Sequence, residues 1–380
     1  MVCGKGRSGK RDDKMRETED CKYHIHGGNR REIHYDFSVN INPLGMPKGC
    51  LEAANRALLQ VDRYPDIFHD ELIEVLSARN GGHHLLLGNG SCELIYSLCH
   101  YIGHKYPGYE AFTIAPSFSE YGFAIAASGG KNRIFITREE DDYSPDKRWE
   151  ELKEKICGSA VSGEPVKLLF ICNPNNPTGE LIKRDRLEKM ADALESHGVL
   201  LLVDECFLRF DKRYAQVTMT EVLSAHGNVI VLDAFTKFYA MPGLRLGYAL
   251  SSDKDLLDGI REGMQPWNVS DSACAAAVCA LKDRGYEDRT VDYIKKQRTY
   301  LADELEKVDL RVIGNPAGPF IMFEGPGGLR EALNSLGFDI RDCSDMLGMY
   351  DPDRHCYRIG VGKEEDNRLL IDGIKSLMGK

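Results

Sequence analysis

The sequence predicts an α/β fold, in which a mainly parallel sheet is covered by helices on both sides. From Leu51 onward, segments with helical periodicity alternate with short apolar runs. Most of these runs are apolar at consecutive positions, which is typical of strands buried on both faces. The chain has 380 residues, more than the roughly 100 to 200 of a typical domain, so we expect two subdomains around a sizeable core.

The elements follow in order along the chain. Residues 1–20 are almost entirely polar and are predicted to form a flexible tail, and residues 21–50 a segment that joins the small domain. Residues 51–264 form the predicted large domain, with helices at LEAANRALLQV, ELIEVLSAR and SCELIYSLCHYI and strands at HLLL, AFTIA, NRIFI, VKLLFIC, VLLLVD, NVIVLDA and LRLGYAL. Residues 265–380 form the predicted small α+β domain, with two long helices from SACAAAVCALKDR and DRTVDYIKKQRTYLADELEKV, strands at LRVI, FIMFE, FDIRD and CYRIG, and a closing helix EEDNRLLIDGIKSLM.

Composition and charge argue against several classes of function. The 49 Lys and Arg residues against 59 Asp and Glu give a formal charge of −10, so we expect no nucleic-acid partner. The longest aliphatic run, residues 199–203, is far too short to span a membrane, and the N-terminus has no apolar signal core. We therefore expect a cytoplasmic protein with no membrane partner. The 12 cysteines are scattered without a CxxC pair, which favours buried thiols, and the 11 histidines show no metal-ligand spacing.

Polar residues follow four of the apolar runs, at the sheet edge where α/β proteins bind ligands. GNGSCELI is a glycine turn that enters a helix, where free N–H groups favour a phosphate, although such turns are also common without a ligand. Asn176 lies in the loop NPNNPTGE, and Asp204 follows VLLLV, where it either has a cationic partner or caps the next helix. Lys237 and Arg245 follow NVIVLDA; among its aromatic neighbours Lys237 is either desolvated, with a lowered pKa, or extends to solvent.

Taken together, these residues are the parts that pyridoxal phosphate requires of a protein. A lysine forms the Schiff base, an aspartate keeps the pyridine nitrogen protonated, and an arginine with a glycine turn holds the phosphate. The combination is therefore more specific than any one of its members.

The sequence also resembles a known family over nearly the whole chain after residue 24. NPNNPTG, VDE at 203–205 and TKFYAMPGLRLGY resemble motifs of the fold type I, class I and II aminotransferase superfamily. Within it, the chain is most similar to threonine-phosphate decarboxylases of cobalamin biosynthesis and next to histidinol-phosphate aminotransferases. The decarboxylase-like segments are HGGN at 26–29, DFSVNINPLGMP at 36–47, PSFSEY at 116–121, DECF at 204–207, MQPWNVS at 264–270 and IRDCS at 340–344.

The resemblance implies a role for each residue of the site. It implies Lys237 as Schiff-base lysine, Asp204 on the pyridine nitrogen, Asn176 on the ring hydroxyl, Phe118 on the ring face, and a phosphate cup of Gly90, Ser91, Cys92, Thr236 and Arg245. Tyr64 of RYPD would reach the cofactor phosphate of a neighbouring subunit, which implies a homodimer. For the small phosphorylated amino-acid substrate, it implies Arg358 on the carboxylate and His26, Asn42 and Arg341 at the distal, phosphate-bearing end.

The choice of reaction stays open at the level of sequence. The resemblance favours decarboxylation of L-threonine O-3-phosphate or O-phosphoserine through an external aldimine, with a histidinol-phosphate aminotransferase-like activity as the alternative and a non-catalytic PLP-binding protein as a minor one. Three departures from the family pattern lie near the site: Ala234 in place of a phosphate-binding Ser, Gly362 in place of a second Arg, and AGPFIM at 317–322 without the usual Asn. RIGVG around Gly362 is more typical of the aminotransferase branch.

Overall fold

The computed structural model describes residues 27–28, 34–163, 165–349 and 354–379, so the predicted tail at residues 1–20 lies outside the described residues. Its strands are β1 (Tyr35–Asp36), β2 (His84–Gly88), β3 (Glu110–Ala115), β4 (Lys131–Ile136), β5 (Val166–Cys172), β6 (Leu200–Asp204), β7 (Val229–Ala234), β8 (Gly247–Ser251), β9 (Phe320–Gly325), β10 (Phe338–Asp339), β11 (Arg341–Asp342) and β12 (His355–Gly360). The helices are α1 (Cys50–Leu58), α2 (Asp70–Arg79), α3 (Ser91–Lys105), α4 (Glu120–Ala127), α5 (Trp149–Val161), α6 (Arg184–Glu195), α7 (Tyr214–Val217), α8 (Lys254–Glu262), α9 (Asp271–Lys282), α10 (Arg284–Glu306), α11 (Leu329–Ser335) and α12 (Glu364–Leu377).

A seven-stranded, mostly parallel sheet lies at the centre of the fold, in the order β2-β8-β7-β6-β5-β3-β4. Only β8 runs against its neighbours β2 and β7, and the remaining adjacent pairs are parallel. Cys172 pairs in register with Asp204, and Asp204 with Leu232. The carboxyl ends of β5, β6 and β7 therefore meet at one edge, where the residues that follow these strands converge.

Helices cover both faces of this sheet, which confirms the predicted α/β class. Leu168 and Phe170 belong to a buried cluster with side chains of α3, α4 and α8. Leu169 and Ile171 belong to a second cluster, which includes side chains of α5, α6 and α9. Because successive strand residues point to opposite faces, a run such as VKLLFIC must be apolar at nearly every position. Each fully buried Leu, Ile or Phe stabilises the fold by roughly 1.5 to 3 kcal/mol relative to exposure.

The C-terminal part contains a three-stranded antiparallel sheet in the order β11-β12-β9. The segment FDIRD, predicted as one strand, divides at the buried Ile340, so that β10 pairs with β1 and β11 pairs with β12. The predicted strand LRVI is reduced to a single bridge between Val312 and Phe323. The division into domains at residue 264 stays a prediction.

In the part of the chain that the structure describes, no helix combines the length and the apolar composition that crossing a bilayer requires.

Candidate active site

A cavity of about 260 Å³ opens at the carboxyl ends of the central strands. Most of the predicted site residues line it: Ser91, Cys92, Phe118, Asn176, Asp204, Thr236, Lys237, Arg245, Arg341 and Arg358. Side chains from distant parts of the sequence therefore meet here because the strands that carry them end at the same edge of the sheet.

One corner of the cavity has the features of an anion-binding site. Helix α3 begins at Ser91, and its N-cap residue, Gly90, has no side chain that could cap the N–H groups of the first turn. Gly90 precedes the helix with φ of +80°, and a Cβ there would lie 2.5 Å from Arg245 Nη2. Only glycine permits both this backbone and the close approach of the guanidinium. The helix start and Arg245 together favour a phosphate group.

The backbone of Arg245 is strained at this corner. Its φ is +57°, in the left-handed region that costs a non-glycine residue on the order of 1 kcal/mol or more. Nη1 of the same residue donates a hydrogen bond of 3.2 Å to the carbonyl of Pro242. The guanidinium is thereby held beside Gly90 by the turn that follows Lys237.

Asp204 is a buried carboxylate without a cationic partner among its hydrogen bonds. Its Oδ2 accepts a hydrogen bond of 2.8 Å from the Tyr121 hydroxyl, and its Oδ1 accepts one of 3.1 Å from the Cys206 N–H. Burial raises the pKa of Asp204, and the hydrogen bonds from Cys206 and Tyr121 oppose that rise. A buried carboxylate of this kind is stabilised by a cationic group, so the protonated ring nitrogen of a ligand would complete the site.

Lys237 combines a free amine with a fixed backbone. Burial, and next the charge of Arg358, lower the pKa of the Lys237 amine, which favours the neutral, nucleophilic form. The Lys237 carbonyl accepts a hydrogen bond of 3.1 Å from the Asn42 N–H, and the next carbonyl, of Phe238, accepts one of 2.8 Å from Asn42 Nδ2. The turn is therefore held while the side chain stays available for chemistry.

Arg358 lies on β12 and is buried beside the cavity. Nη1 donates to Asn176 Oδ1 at 2.5 Å, Nη2 donates to the Ser38 carbonyl at 2.7 Å, and Nε is buried with no partner in the described structure. Burial, and to a smaller extent the positive charge of Arg341, lower the pKa of Arg358 to about 10. Its hydrogen-bond partners are neutral, so the guanidinium retains its charge for an anionic ligand.

Four predicted residues lie elsewhere or outside the described structure. Asn42 does not line the cavity. Its buried Nδ2 donates hydrogen bonds to Phe238 O, Tyr286 Oη and Thr290 Oγ1. The predicted contact of Asn42 with the distal end of the substrate is therefore corrected, since this residue supports the framework of the site. Gly90 contributes its backbone next to Arg245. Tyr64 is 78% exposed, stacks on Trp267 and lies away from the cavity of its own chain. His26 lies outside the described residues.

The structure adds three residues that sequence reasoning missed. Asn40 lines the cavity, and its buried Oδ1 has no partner among the described residues. It precedes Asn42 by two positions, and no signal in the sequence distinguishes the two asparagines. Cys206 lines the cavity, and Tyr121 supports Asp204 from the segment that also carries Phe118. Both lie in segments that resemble the family, but only the fold shows that they contact the site.

One of the three departures from the family pattern, Gly362, has a local explanation. A Cβ at Gly362 would lie 2.9 Å from the Phe37 ring and 3.0 Å from Asn367 Oδ1, so packing itself requires glycine there. In the segment 317–322, Phe320 packs edge-on against Phe207, and its ring lies 5.7 Å from Arg358 Cζ. Ala234 is a buried residue at the end of β7, and nothing in the structure explains its replacement of serine.

The donor set fits pyridoxal phosphate. The cavity joins the start of a helix with an arginine, a lysine with a lowered pKa, and a buried carboxylate that hydrogen-bonds no cationic group among the described residues. These groups correspond to the phosphate, the ring nitrogen and the aldehyde of that molecule. No group of three or more metal-ligating side chains occurs in the described part of the chain.

Comparison with known proteins supports the same conclusion. The family model described as aminotransferase class I and II matches residues 32–374. A candidate threonine-phosphate decarboxylase of Caldanaerobacter subterraneus subsp. tengcongensis is 31% identical, over 96% of each chain, and the threonine-phosphate decarboxylase of Salmonella typhimurium is 29% identical over 93% of this chain and 96% of the relative. The crystal structure of the histidinol-phosphate aminotransferase from Clostridium acetobutylicum superposes with a TM-score of 0.80 at 26% identity, over 91% of this chain and 99% of the other. The chain belongs to the class I and II aminotransferase family, and it is an enzyme that uses pyridoxal 5'-phosphate.

Proposed function

We propose that this enzyme decarboxylates a small phosphorylated amino acid, L-threonine O-3-phosphate or O-phosphoserine. The observation that carries the proposal is that two arginines, Arg341 and Arg358, line the same cavity as Lys237. Two cationic groups at one cavity favour a substrate with two anionic groups, such as a carboxylate and a phosphate. The names of the most similar relatives support the same class of substrate.

The cofactor would be held by the residues described above. Ser91, Cys92, Thr236 and Arg245 would bind its phosphate, Asp204 its ring nitrogen, Asn176 its ring hydroxyl, and Phe118 its ring face. Asn176 accepts from Arg358 through Oδ1, so its amide nitrogen remains to donate. When bound, pyridoxal phosphate acts as an electron sink that weakens the bonds at the α carbon of the substrate.

The residues around the cofactor would then determine which of those bonds reacts. Arg358, fixed by Asn176 and Ser38, would bind the carboxylate and so set its orientation. In decarboxylation, the Lys237 ammonium would donate the proton that replaces the carboxyl group at the α carbon. In transamination, the neutral amine would instead remove the α proton. The lowered pKa of the Lys237 amine favours the neutral form that transamination requires and makes the ammonium a stronger acid in decarboxylation.

An aminotransferase that acts on a phosphorylated substrate is the second candidate, since it would use the same cavity. It is supported by the superposition on the histidinol-phosphate aminotransferase. Gly362 does not by itself favour this candidate, because packing against Phe37 accounts for the glycine.

One assay separates the two candidates. The purified holoenzyme is incubated with O-phosphothreonine, O-phosphoserine and histidinol phosphate, while CO₂ release and 2-oxoglutarate-dependent amino transfer are measured in parallel. We expect CO₂ release from O-phosphothreonine and a selective loss of phosphorylated substrates in Arg341→Ala. A wild type that shows no preference for O-phosphothreonine over threonine would contradict phosphate recognition, and amino transfer without CO₂ release would favour the aminotransferase.

We also propose that the enzyme is a homodimer. Exposed apolar side chains are concentrated between residues 58 and 68 and at Trp267, which stacks on Tyr64. Those of the segment are Leu58, Leu59, Val61, Tyr64, Ile67 and Phe68. Apolar side chains that are exposed together in this way favour an interaction site. A second copy of the chain would cover it and would receive Tyr64 at its phosphate cup.

Subunit complementation tests this arrangement. Tyr64→Ala and Lys237→Ala proteins are each expected to be nearly inactive, and mixing them after reversible dissociation should restore activity. In the mixed dimer, one site would combine an intact Lys237 with an intact Tyr64 of the other subunit. A monomer by analytical ultracentrifugation, or no recovery on mixing, would contradict the dimer.

We place the enzyme in the cytoplasm as part of the same proposal. All ten cysteines of the described residues are free thiols, and each of them is buried or half-buried. Free thiols are typical of a reducing compartment. Fractionation of the native host, followed by immunoblotting with an antibody to the chain, would test this location.

A further inference from the structure

The two arginines of the cavity are direct neighbours across a pair of strands. Arg341 on β11 is in register with Arg358 on β12, and both side chains line the cavity. Residues directly opposite each other in an antiparallel pair have Cβ atoms about 5 Å apart, and like charges in such a pair repel. Without a partner for one of them, the free enzyme would hold two unbalanced cations side by side.

Asp345 balances one of these charges. Arg341 Nη2 donates to Asp345 Oδ1 at 2.7 Å and to Oδ2 at 2.8 Å, while Nη1 donates to the Asp342 carbonyl at 2.5 Å. The Asp345 side chain is 47% exposed and that of Arg341 only 14%, so the carboxylate reaches the guanidinium from the solvent side. The turn that carries it is fixed by a hydrogen bond of 2.8 Å from the Ser344 N–H to Asp342 Oδ1.

The pairing has a consequence for any ligand that approaches Arg341. Both carboxylate oxygens of Asp345 accept hydrogen bonds from Nη2 of Arg341, and the backbone carbonyl of Asp342 accepts one from Nη1. To use the donors that Asp345 occupies, an anionic group must displace its carboxylate. The cost of that displacement is the same for every anion, whereas the attraction to the arginine grows with the charge of the ligand.

We propose that Asp345 determines specificity, by setting a threshold at Arg341 that a doubly charged phosphate overcomes and a singly charged carboxylate does not. The inference rests on the proposed function, in which Arg341 binds the distal phosphate. It explains how the cavity would reject glutamate and aspartate, abundant amino acids that carry a distal carboxylate. Asp345 acts through Arg341 and does not itself contact the substrate.

Asp345→Asn tests the threshold because it removes the charge at an exposed position and preserves the shape. Binding of inorganic phosphate to the holoenzyme is measured by calorimetry, and inhibition by L-glutamate is measured against O-phosphothreonine. We expect Asp345→Asn to bind phosphate about fivefold more tightly, as an exposed ion pair contributes up to about a factor of five, and to be inhibited by glutamate more strongly than wild type. Asp185→Asn is the matched control: it removes an exposed carboxylate that pairs with Lys189 outside the cavity, and it should differ from wild type by less than about twofold.

The outcomes separate this inference from the proposed function. Phosphate binding by Asp345→Asn that is no tighter than in wild type, or unchanged inhibition by glutamate, would overturn the role of Asp345. Equal phosphate binding by Arg341→Ala and wild type would instead overturn the phosphate site itself. Calorimetry measures phosphate binding to Asp345→Asn and to Arg341→Ala without turnover, so these two results do not depend on which reaction the enzyme catalyses.

Discussion

The hydroxyl of Tyr121 donates a hydrogen bond of 2.8 Å to Asp204 Oδ2, and this bond joins helix α4 to the carboxyl end of β6. The bond stabilises the ionised form of a carboxylate whose pKa is raised by burial. The carboxylate must stay ionised if it is to hold a protonated ring nitrogen. Tyr121 is therefore a positioning residue for the cofactor even though it contributes no atom to the chemistry.

We predict that Tyr121→Phe weakens cofactor retention and lowers kcat by about tenfold or more, since a hydrogen bond to a charged group contributes about 1.5 to 3 kcal/mol. In an Asp204→Asn background the same change should have a smaller effect, because the charged acceptor is gone. Cofactor release is followed by absorbance after gel filtration. Tyr109→Phe removes a buried hydroxyl that bonds Ser128, away from the cavity, and should leave retention unchanged. Equal effects of the two Tyr→Phe changes would contradict the role of Tyr121.

Asn42 is expected to act through the turn that carries Lys237. Asn42→Ala should lower the free energy of unfolding by about 1 to 3 kcal/mol and reduce kcat for phosphorylated and unphosphorylated substrates alike. Asn228→Ala removes a comparable buried amide that bonds Ala191 and Val199, so it should cost stability but not kcat. Chemical denaturation and steady-state kinetics measure both effects. A loss confined to phosphorylated substrates would restore Asn42 to the distal end of the substrate.

Lys237 is predicted to carry the cofactor covalently. The purified protein should be yellow, and borohydride reduction followed by peptide mass spectrometry should place the cofactor on this lysine alone. Lys237→Ala should lose activity by several orders of magnitude, while Lys131→Ala, at a side chain that is 74% exposed, should behave as wild type. Recovery of the label on another lysine would overturn the assignment.

Arg358→Lys is predicted to reduce kcat/KM for every amino-acid substrate by a similar factor, equivalent to about 1 to 3 kcal/mol. A lysine cannot reproduce the planar fork that bonds Asn176 and Ser38 and still offer a donor to the carboxylate. Arg298→Lys is the control, because Arg298 also bonds two carbonyls, of Ala317 and Gly318, outside the cavity. Its kcat/KM should stay near that of wild type. A loss of kcat/KM limited to phosphorylated substrates would instead indicate that Arg358 binds the phosphate and Arg341 the carboxylate.

Glu205 should make stability depend on pH. It is buried, accepts hydrogen bonds from Thr218 Oγ1 at 2.6 Å and the Met219 N–H at 2.8 Å, and burial raises its pKa to about 8. A raised folded-state pKa means that its contribution to stability is complete below about pH 4 and is lost as the pH rises through about 8. Glu205→Gln cannot ionise, so its stability relative to wild type should increase between about pH 5 and pH 9, by on the order of 1 to 3 kcal/mol. Thermal unfolding measures it, with the exposed Glu221→Gln as a control that shows no such trend.

The sequence predicted the central strands well because both faces of the sheet are covered. A run such as VLLLVD must then be apolar throughout, and its length separates it from the amphipathic helices around it. FDIRD was different, since one short segment serves two sheets and the change of partner at Ile340 leaves no mark in the pattern. A short apolar run at the margin of a fold therefore says less about its strand partners than a long run at the centre.

The site residues that directly follow strands could be predicted, because the parallel topology brings the carboxyl ends of those strands to one edge of the sheet. Asn40 and Asn42 were not distinguished, since both are polar, lie two positions apart and differ only in what surrounds them in space. The pairing of Arg341 with Asp345 was missed for a similar reason. The charge of Asp345 becomes relevant only because β12 places a second arginine, Arg358, opposite Arg341.

The hydrogen bonds of Asn42 also bear on the order in which the protein folds. They join residues 196, 244 and 248 positions apart in the chain, to Phe238, Tyr286 and Thr290. Contacts of such long sequence separation form late, because the entropy of closing a large loop must be lost first. The turn that carries the lysine therefore takes its final shape only after the beginning of the chain has met helix α10. During refolding, cofactor capture should lag behind the recovery of secondary structure, so a partly synthesised chain is not yet competent to bind the cofactor.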